Sequence, residues 1–409
     1  MTPRSRLAVA MLLACSPVLA HAQPPAAGWY VIPSAAVVEE FDSNLFGARD
    51  DPESDFITRL IGGLSLGYRS QPLTVLGSYS IAGELYAKNS DLNNIGDRQR
   101  ARFQLEYHPD RRLEIAFEAF YGRTNDIKRF VTDPAPVPIT APPPDAPVSG
   151  PEGAPEPGVP APGVAVVEFR RRLIEVFRMS PSVSYEFTPL VTGDAAYLFR
   201  YIDEEDQPTS TEHLLRLGVS REFTPLDRGS ITYRFRYFDF GTDSDTTYSN
   251  SITFGWEREV TPRLRILLAA GPRVDEDDTV EAEARLRISY RFQQATVAFA
   301  YSRTQEIAVG LEGPQTVDRF AGSVVWRPLA TVVAGVTGSL ILVSSEVSNG
   351  PSQEDTIYGV SAHVAYRLTR RLTARARYDF SLETDNRPGE IVSHVVSVGL
   401  EYEEPFRIY

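Results

Sequence analysis

Ala282-Glu283-Ala284-Arg285-Leu286-Arg287-Ile288-Ser289-Tyr290-Arg291 decides the fold. Ala284, Leu286, Ile288 and Tyr290 fall on one face, and Glu283, Arg285, Arg287, Ser289 and Arg291 fall on the other. That period of two belongs to a strand, because a helix would mix the two sets. The stretch from Leu113 repeats it, with Leu113, Ile115, Phe117, Ala119 and Tyr121 opposed to Glu114, Ala116, Glu118 and Gly122. A soluble sandwich could also hide such an apolar face, so alternation alone leaves the class open.

Nine such stretches run down to an aromatic residue just before a turn: Tyr68, Tyr107, Tyr185, Phe223, Trp256, Tyr290, Trp326, Tyr366 and Tyr402. A charged residue or histidine follows eight of the nine. Rings with a polar edge favour the boundary between hydrocarbon and water, so the set reads as one girdle at one depth, on the periplasmic side. The connections alternate between short and long. Thr188-Pro189-Leu190, Thr224-Pro225-Leu226, Thr261-Pro262-Arg263 and Arg327-Pro328-Leu329 are short, whereas 50–55, 203–212, 275–278 and 383–390 are longer, acidic and polar. The expected fold is therefore all-β: a single closed antiparallel transmembrane β-barrel of about 18 strands, with short periplasmic turns and long extracellular loops. The first strand is expected over Trp29–Phe46 and the last over Ile391–Tyr402. An error of one hairpin would give about 16 or 20, the weakest places being strands interrupted by Pro33 and Pro181.

The N-terminus carries Arg4 and Arg6, an apolar run from Leu7 to Ala20, and the small-residue pattern Ala20-His21-Ala22. Residues 1–22 read as a signal peptide, which implies export to the outer membrane of a Gram-negative bacterium. Leu12-Leu13-Ala14-Cys15 resembles a lipoprotein cleavage box, but the site at Ala22 is better formed. Without residues 1–22 the chain has 387 residues and a formal net charge of −15, from 39 basic and 54 acidic side chains. That balance argues against a nucleic-acid partner. Cys15 is the sole cysteine, so no disulfide is expected.

The organisation expected is a barrel over residues 23–402 and a C-terminal tail over 403–409, in which Pro405 breaks the pattern before the terminal Tyr409. Either Tyr402 closes the last strand or that strand is bent. One connection, 125–165, holds twelve prolines between Pro134 and Pro162. Such a segment neither pairs as a strand nor coils as a helix, and reads as an extended extracellular loop or a flexible lid over the mouth.

Inward positions follow from the alternation. Arginine dominates them: Arg98, Arg100, Arg102, Arg216, Arg234, Arg236, Arg265, Arg273, Arg285, Arg287, Arg375 and Arg377 are the candidate selectivity surface. Turn geometry suggests the pairs Arg102 with Glu118 and Glu257 with Arg265. It also suggests Arg216 opposite Arg236, with Arg234 beside them and no acidic partner on those two strands. A ladder of arginine can offer transient contacts to carboxylate or phosphate while a wide lumen keeps its water. Catalysis finds little support: of His108, His213, His363 and His394 only His363 is expected to face the lumen, without a serine and carboxylate beside it. No cofactor or metal is expected, and the run Asp275-Glu276-Asp277-Asp278 reads as a solvated acidic loop.

Phe41-Asp42-Ser43-Asn44-Leu45-Phe46 resembles the aromatic-Asp-x-Asn-apolar signature near the start of outer-membrane beta-barrel porin family 2, the exopolysaccharide-export-associated barrels. Phe41, Asp42 and Asn44 carry the likeness, which covers the first strand alone. The resemblance implies export of a polysaccharide, delivered by a periplasmic or inner-membrane export apparatus. Physically, Asp42 and Asn44 share a face and can cap the strand or project into the mouth. Three functions stay open: a non-enzymatic channel exporting an exopolysaccharide, anionic in one version; a passive porin for small anionic solutes; and a structural or surface-binding barrel with a blocked lumen. The partners expected are outer-membrane lipid and lipopolysaccharide, the barrel assembly machinery, and that export apparatus.

Overall fold

The computed structural model describes residues 28–125, 165–166, 172–241, 246–309, 313–345, 353–385 and 388–408. Residues 1–27, most of the proline-rich connection and Tyr409 lie outside them. Long strands run as β1 Gly28–Asp42, β2 Asp55–Arg69, β3 Leu73–Tyr86, β4 Asn94–Tyr107, β5 Leu113–Thr124, β6 Ile174–Thr188, β7 Val191–Glu204, β8 Ser210–Thr224 and β9 Asp227–Asp239. They continue as β10 Thr246–Thr261, β11 Leu264–Asp275, β12 Val280–Arg291, β13 Ala295–Val309, β14 Pro314–Leu329, β15 Val332–Ser345, β16 Gln353–Arg367, β17 Leu372–Thr384 and β18 Ile391–Glu403. Each pairs antiparallel with the next, and β18 pairs back with β1 from Ser34↔Glu403 to Asp42↔Val395. The chain is a closed antiparallel β-barrel of 18 long strands.

The outer surface of the wall is apolar. Leu60, Leu64, Leu66, Val336, Val364, Val398 and Leu400 are all exposed on it. A band this continuous is unstable against water and matches the hydrocarbon of a bilayer. Among the described residues no helix is long and apolar enough to cross a membrane.

The nine girdle aromatics lie at or near the turn ends of the even-numbered strands β2 to β18. Their ladder partners, such as Leu113 for Tyr185, Ala334 for Trp326 and Leu372 for Tyr402, all lie beside the short turns. The turns share one device. Thr188, Thr224, Thr261 and Thr369 each accept through Oγ1 a backbone N–H two or three residues on, at 3.0–3.3 Å. Proline after the first three threonines has no N–H to leave unpaired and pre-sets the turn.

Three expected boundaries change. The first strand ends at Asp42 rather than Phe46, because residues 43–46 turn back over the rim. At the C-terminus the described residues follow the bent alternative: β18 reaches Glu403, Pro405 interrupts it, and Phe406–Ile408 pair with Val31, Tyr30 and Trp29 of β1. Pro33 sits at the matching place on β1, between Val31↔Phe406 and Ser34↔Glu403. Two prolines, each without a donor, thus occupy one irregular step of the closing seam, and Glu404 N–H bonds the Pro33 carbonyl there at 3.1 Å. Pro181 leaves β6 unbroken, since the ladder to β7 lapses between Met179 and Ser182 and resumes at Ser182↔Ala196.

Candidate functional site

The lumen has two unlike halves. Along β2 the inward residues Asp55, Ile57 and Arg59 are buried, whereas Ile61, Gly63 and Ser65 are half-exposed. The same gradient recurs on β6, β9, β14 and β17, always with burial at the loop end. Inward side chains of a wide barrel stay wet unless something packs against them.

On β2, Ile57 packs with Leu45, Phe46, Tyr86 and Leu92 of the adjoining rim; the larger apolar layer at the loop end takes in the β13–β14 hairpin. The β12–β13 ladder runs from Arg291↔Thr296 to Ala284↔Arg303 and then stops, although both strands continue. Beyond Arg303, β13 stays paired with β14, which stays paired with β15 as far as Thr316↔Ser344. The hairpin therefore leaves the wall on its β12 side and folds inward. Both faces of its end are buried: Glu306, Gln315 and Val317 on one, Gln305 and Ile307 on the other, none above 7% exposed. A wall strand with a lipid face cannot show that pattern.

Polar contacts fix the hairpin against β9–β12. Arg236 on β9 donates to Thr304 Oγ1 at 3.0 Å, and Ser249 on β10 donates to Gln305 Oε1 at 2.7 Å. Arg273 on β11 donates to Thr316 Oγ1 at 3.0 Å, and Thr316 donates to Glu281 of β12 at 2.9 Å. An apolar layer joins them, formed by Ile174, Ile202, Phe238, Ile307, Val317 and Ile341 among others from both sides of the barrel. The wall opposite is shaped for this. Gly271, beside Pro272 on β11, lies so near β10 that a Cβ there would meet the Ile252 carbonyl oxygen at 1.8 Å. Ala165–Val166, the described remnant of the proline-rich connection, adds in parallel to β13 at Ala308–Val309, near the stretch that β12 leaves unpaired.

The twelve candidate arginines divide between these halves. Arg234, Arg236 and Arg273 are buried at the loop end in ion pairs. Glu283 receives Arg236 in a short hydrogen bond, Arg234 at 3.5 Å and Ser251 at 2.9 Å. Arg273 engages Asp275 at 2.9 Å and Glu281. Removing two such ions from water costs several kcal/mol each, which close pairing has to offset. These three candidates therefore hold the packed mouth together.

The predicted register also needs correction. Arg216 faces Arg234, and Leu214 faces Arg236, two residues from the expected register, with one irregular step of the ladder between Asp227 and Arg228. Nor do these arginines lack acids: Arg216 lies 3.3 Å from Asp194 on β7, the neighbouring strand. Glu118 sits opposite Gln104, not Arg102, accepts from it at 3.3 Å, and lies 4.0 Å from Arg178. Glu257 does take Arg265, as the turn suggested.

Arg98, Arg100 and Arg102 point inward from β4, opposite Ala82, Ser80 and Ser78. Arg265, Arg285, Arg287, Arg375 and Arg377 also point inward, from the turn-end half of β11, β12 and β17, where water reaches them. Arg285 is exposed although it faces the lumen, which marks the floor of the packed mouth.

Sequence reading missed Arg59, which binds Glu40 and, at 2.6 Å, Glu84; Arg98 stands 3.6 Å from Glu84. It also missed Arg200 with Glu212 at 2.9 Å and Arg319 with Glu306 at 3.3 Å. Inward parity at Glu40, Arg59 and Glu84 was a usable signal. Asp42 and Asn44 cap the strand end. Asn44 Nδ2 donates to the Ala48 and Val392 carbonyls at 2.8 and 3.0 Å, its Oδ1 accepts Ala48 N–H at 2.8 Å, and Asp42 accepts Asn44 N–H at 2.9 Å.

His363 faces the lumen over Gly335, where a Cβ would meet its ring at 2.4 Å. His213 and His394 are on the lipid face, bonded to the Tyr197 and Tyr378 hydroxyls at 2.6 and 2.9 Å. In the acidic loop, hydrogen bonds from Thr279 hold the Asp277 carboxyl below the usual range, so that carboxylate serves the turn itself.

No protein-family profile matches the chain, and the likeness of residues 41–46 to porin family 2 stands on that motif alone. No curated protein matches either. Solved structures do resemble it. OccAB4 of Acinetobacter baumannii aligns over 93% of this chain and 98% of its own, with 10% identity and a TM-score of 0.46. OpdK of Pseudomonas aeruginosa aligns over 92% and 99%, with 8% identity and a TM-score of 0.46. The siderophore receptor PirA of Pseudomonas aeruginosa aligns over 91% and 80%, with 10% identity and a TM-score of 0.42. At these values the likeness adds nothing about cargo.

Proposed function

We propose that this protein is an outer-membrane channel, non-enzymatic, that exports an exopolysaccharide through a lumen closed at the cell surface until the β13–β14 hairpin is displaced. In this reading the turn end faces the periplasm and the loop end faces outward. One observation carries it: the lumen is wet from the turn end and packed at the loop end by a hairpin anchored through Thr304, Gln305 and Thr316. A passive porin needs a standing aperture at both ends. An exporter benefits from an outer end that opens only when cargo arrives, since a resting leak admits solutes. A periplasmic export apparatus would deliver the polymer, and the N-terminal signal and the barrel assembly machinery would place the chain.

Deleting the gene tests this directly. Loss of surface polysaccharide with unchanged uptake of small solutes supports export; unchanged polysaccharide with impaired anion uptake replaces it by the porin reading.

A further inference from the structure

The acidic residues of β12–β17 all lie in the loop-end half of their strands: Glu281, Glu283, Glu306, Asp318, Glu354, Asp355, Asp379 and Glu383. Residues 284–305, 319–345 and 356–378 contain no Asp or Glu at all. Those three stretches include the turn-end half of this sector, where the inward ionisable side chains are arginines apart from His363. Arg291 faces Thr296, and Arg367 faces Thr373, both inward at the girdle level. Arg327 follows the outward Trp326 and so points in as well. Arg285 and Arg287 continue the line up β12, and Arg375, shared with Glu401 at 2.6 Å, continues it up β17.

The other side of the same mouth differs. There the inward Arg228 and Arg265 stand among Glu186, Glu222, Glu257 and Glu259. The basic sector is thus one-sided, and it runs without a break from the rim to the floor of the packed mouth.

We infer that Arg285, Arg287, Arg291, Arg327, Arg367 and Arg375 form an entry track for a polymer bearing repeated carboxylate, sulfate or phosphate groups. The inference rests on the export reading and names its substrate class. Guanidinium groups present paired donors matched to such anions, and a track wetted on one side allows each contact to be exchanged. A protein docked on the rim would touch turn tips. A chain threading the lumen would also meet Arg285 and Arg287, well inside.

The test is binding of a fluorescent polyuronate oligosaccharide to the full-length barrel in detergent, followed by anisotropy, with a neutral dextran oligomer for comparison. Binding to polyuronate alone, weakening by about tenfold between about 50 and about 200 mM salt, is expected. Arg291→Gln/Arg327→Gln/Arg367→Gln and Arg285→Gln/Arg287→Gln should each weaken it by about fivefold or more. Arg221→Gln, on the lipid face, should leave it unchanged. Equal binding of dextran, or no loss in either lumen set, overturns the track. Dependence on Arg263, Arg370 and Arg371 alone puts the anion outside, as for an acidic protein on the rim, and also overturns it. Folded barrels keep their compact migration without boiling, which excludes misfolded variants. Polymer binding without export in cells would overturn the export reading and leave the track. Normal export by the triple variant would do the reverse.

Discussion

Arg236 on β9 donates to Thr304 Oγ1 on β13 at 3.0 Å although three strands of wall lie between them. In an open barrel of this size the two positions would stand on the order of 20 Å apart, beyond the reach of an arginine. The contact exists because β13 leaves β12 after Arg303 and crosses the lumen. A crosslink reports it. Ser249→Cys with Gln305→Cys should join through a short bifunctional thiol reagent in intact membranes, and Cys15 is the sole native cysteine. Failure of this pair, while a neighbouring wall pair such as Ser323→Cys with Ala298→Cys reacts, would place the hairpin in the wall.

Glu283 holds the β9 side of the mouth, receiving both Arg236 and Arg234. Glu283→Gln keeps the shape and removes the common charge, so two buried guanidiniums lose their shared counter-ion. A loss of about 3 kcal/mol or more in unfolding free energy is expected from urea titration in lipid. A loss below about 1 kcal/mol would mean that water enters this layer.

Asn44 decides between a structural and a mouth role for the Asp-x-Asn motif. Its side chain makes three hydrogen bonds within the rim. Asn44→Ala should cost about 2–3 kcal/mol, as buried amide partners are left unsatisfied, without altering ion preference. A change in ion preference at unchanged stability would assign it to the mouth.

Depth along the wall is testable on the lipid face. Val336→Arg lies mid-band and should destabilise folding into vesicles by about 2–4 kcal/mol; Tyr366→Arg, at the girdle, should cost about 0–1 kcal/mol. Equal costs would mean that the nine aromatics do not mark one interface.

The strands, their number and their inward faces were legible in the sequence because a pleat in a membrane writes itself as alternation, and the Thr-Pro turns mark one end. The register across β8–β9 was not: Arg216 faces Arg234 rather than Arg236, and the irregular step between Asp227 and Arg228 cannot be read from the turn residues. The hairpin escaped for a related reason. Arg303, Thr304, Gln305 and Glu306 are polar on both faces, which as sequence reads like the end of a membrane band. Only three-dimensional placement distinguishes a strand rising into water from one bending into a lumen. Counter-charges such as Asp194 and Glu283 escaped too, because they lie on strands beyond the hairpin considered.

Single-channel conductance in planar bilayers tests the closed mouth most directly, comparing the native chain with Thr304→Val/Gln305→Ala/Thr316→Val, which removes the polar anchors of the hairpin. The native barrel should stay closed for long periods, and the triple variant should give large, steady openings. Large, steady conductance from the native chain, unchanged in the variant, would contradict the account.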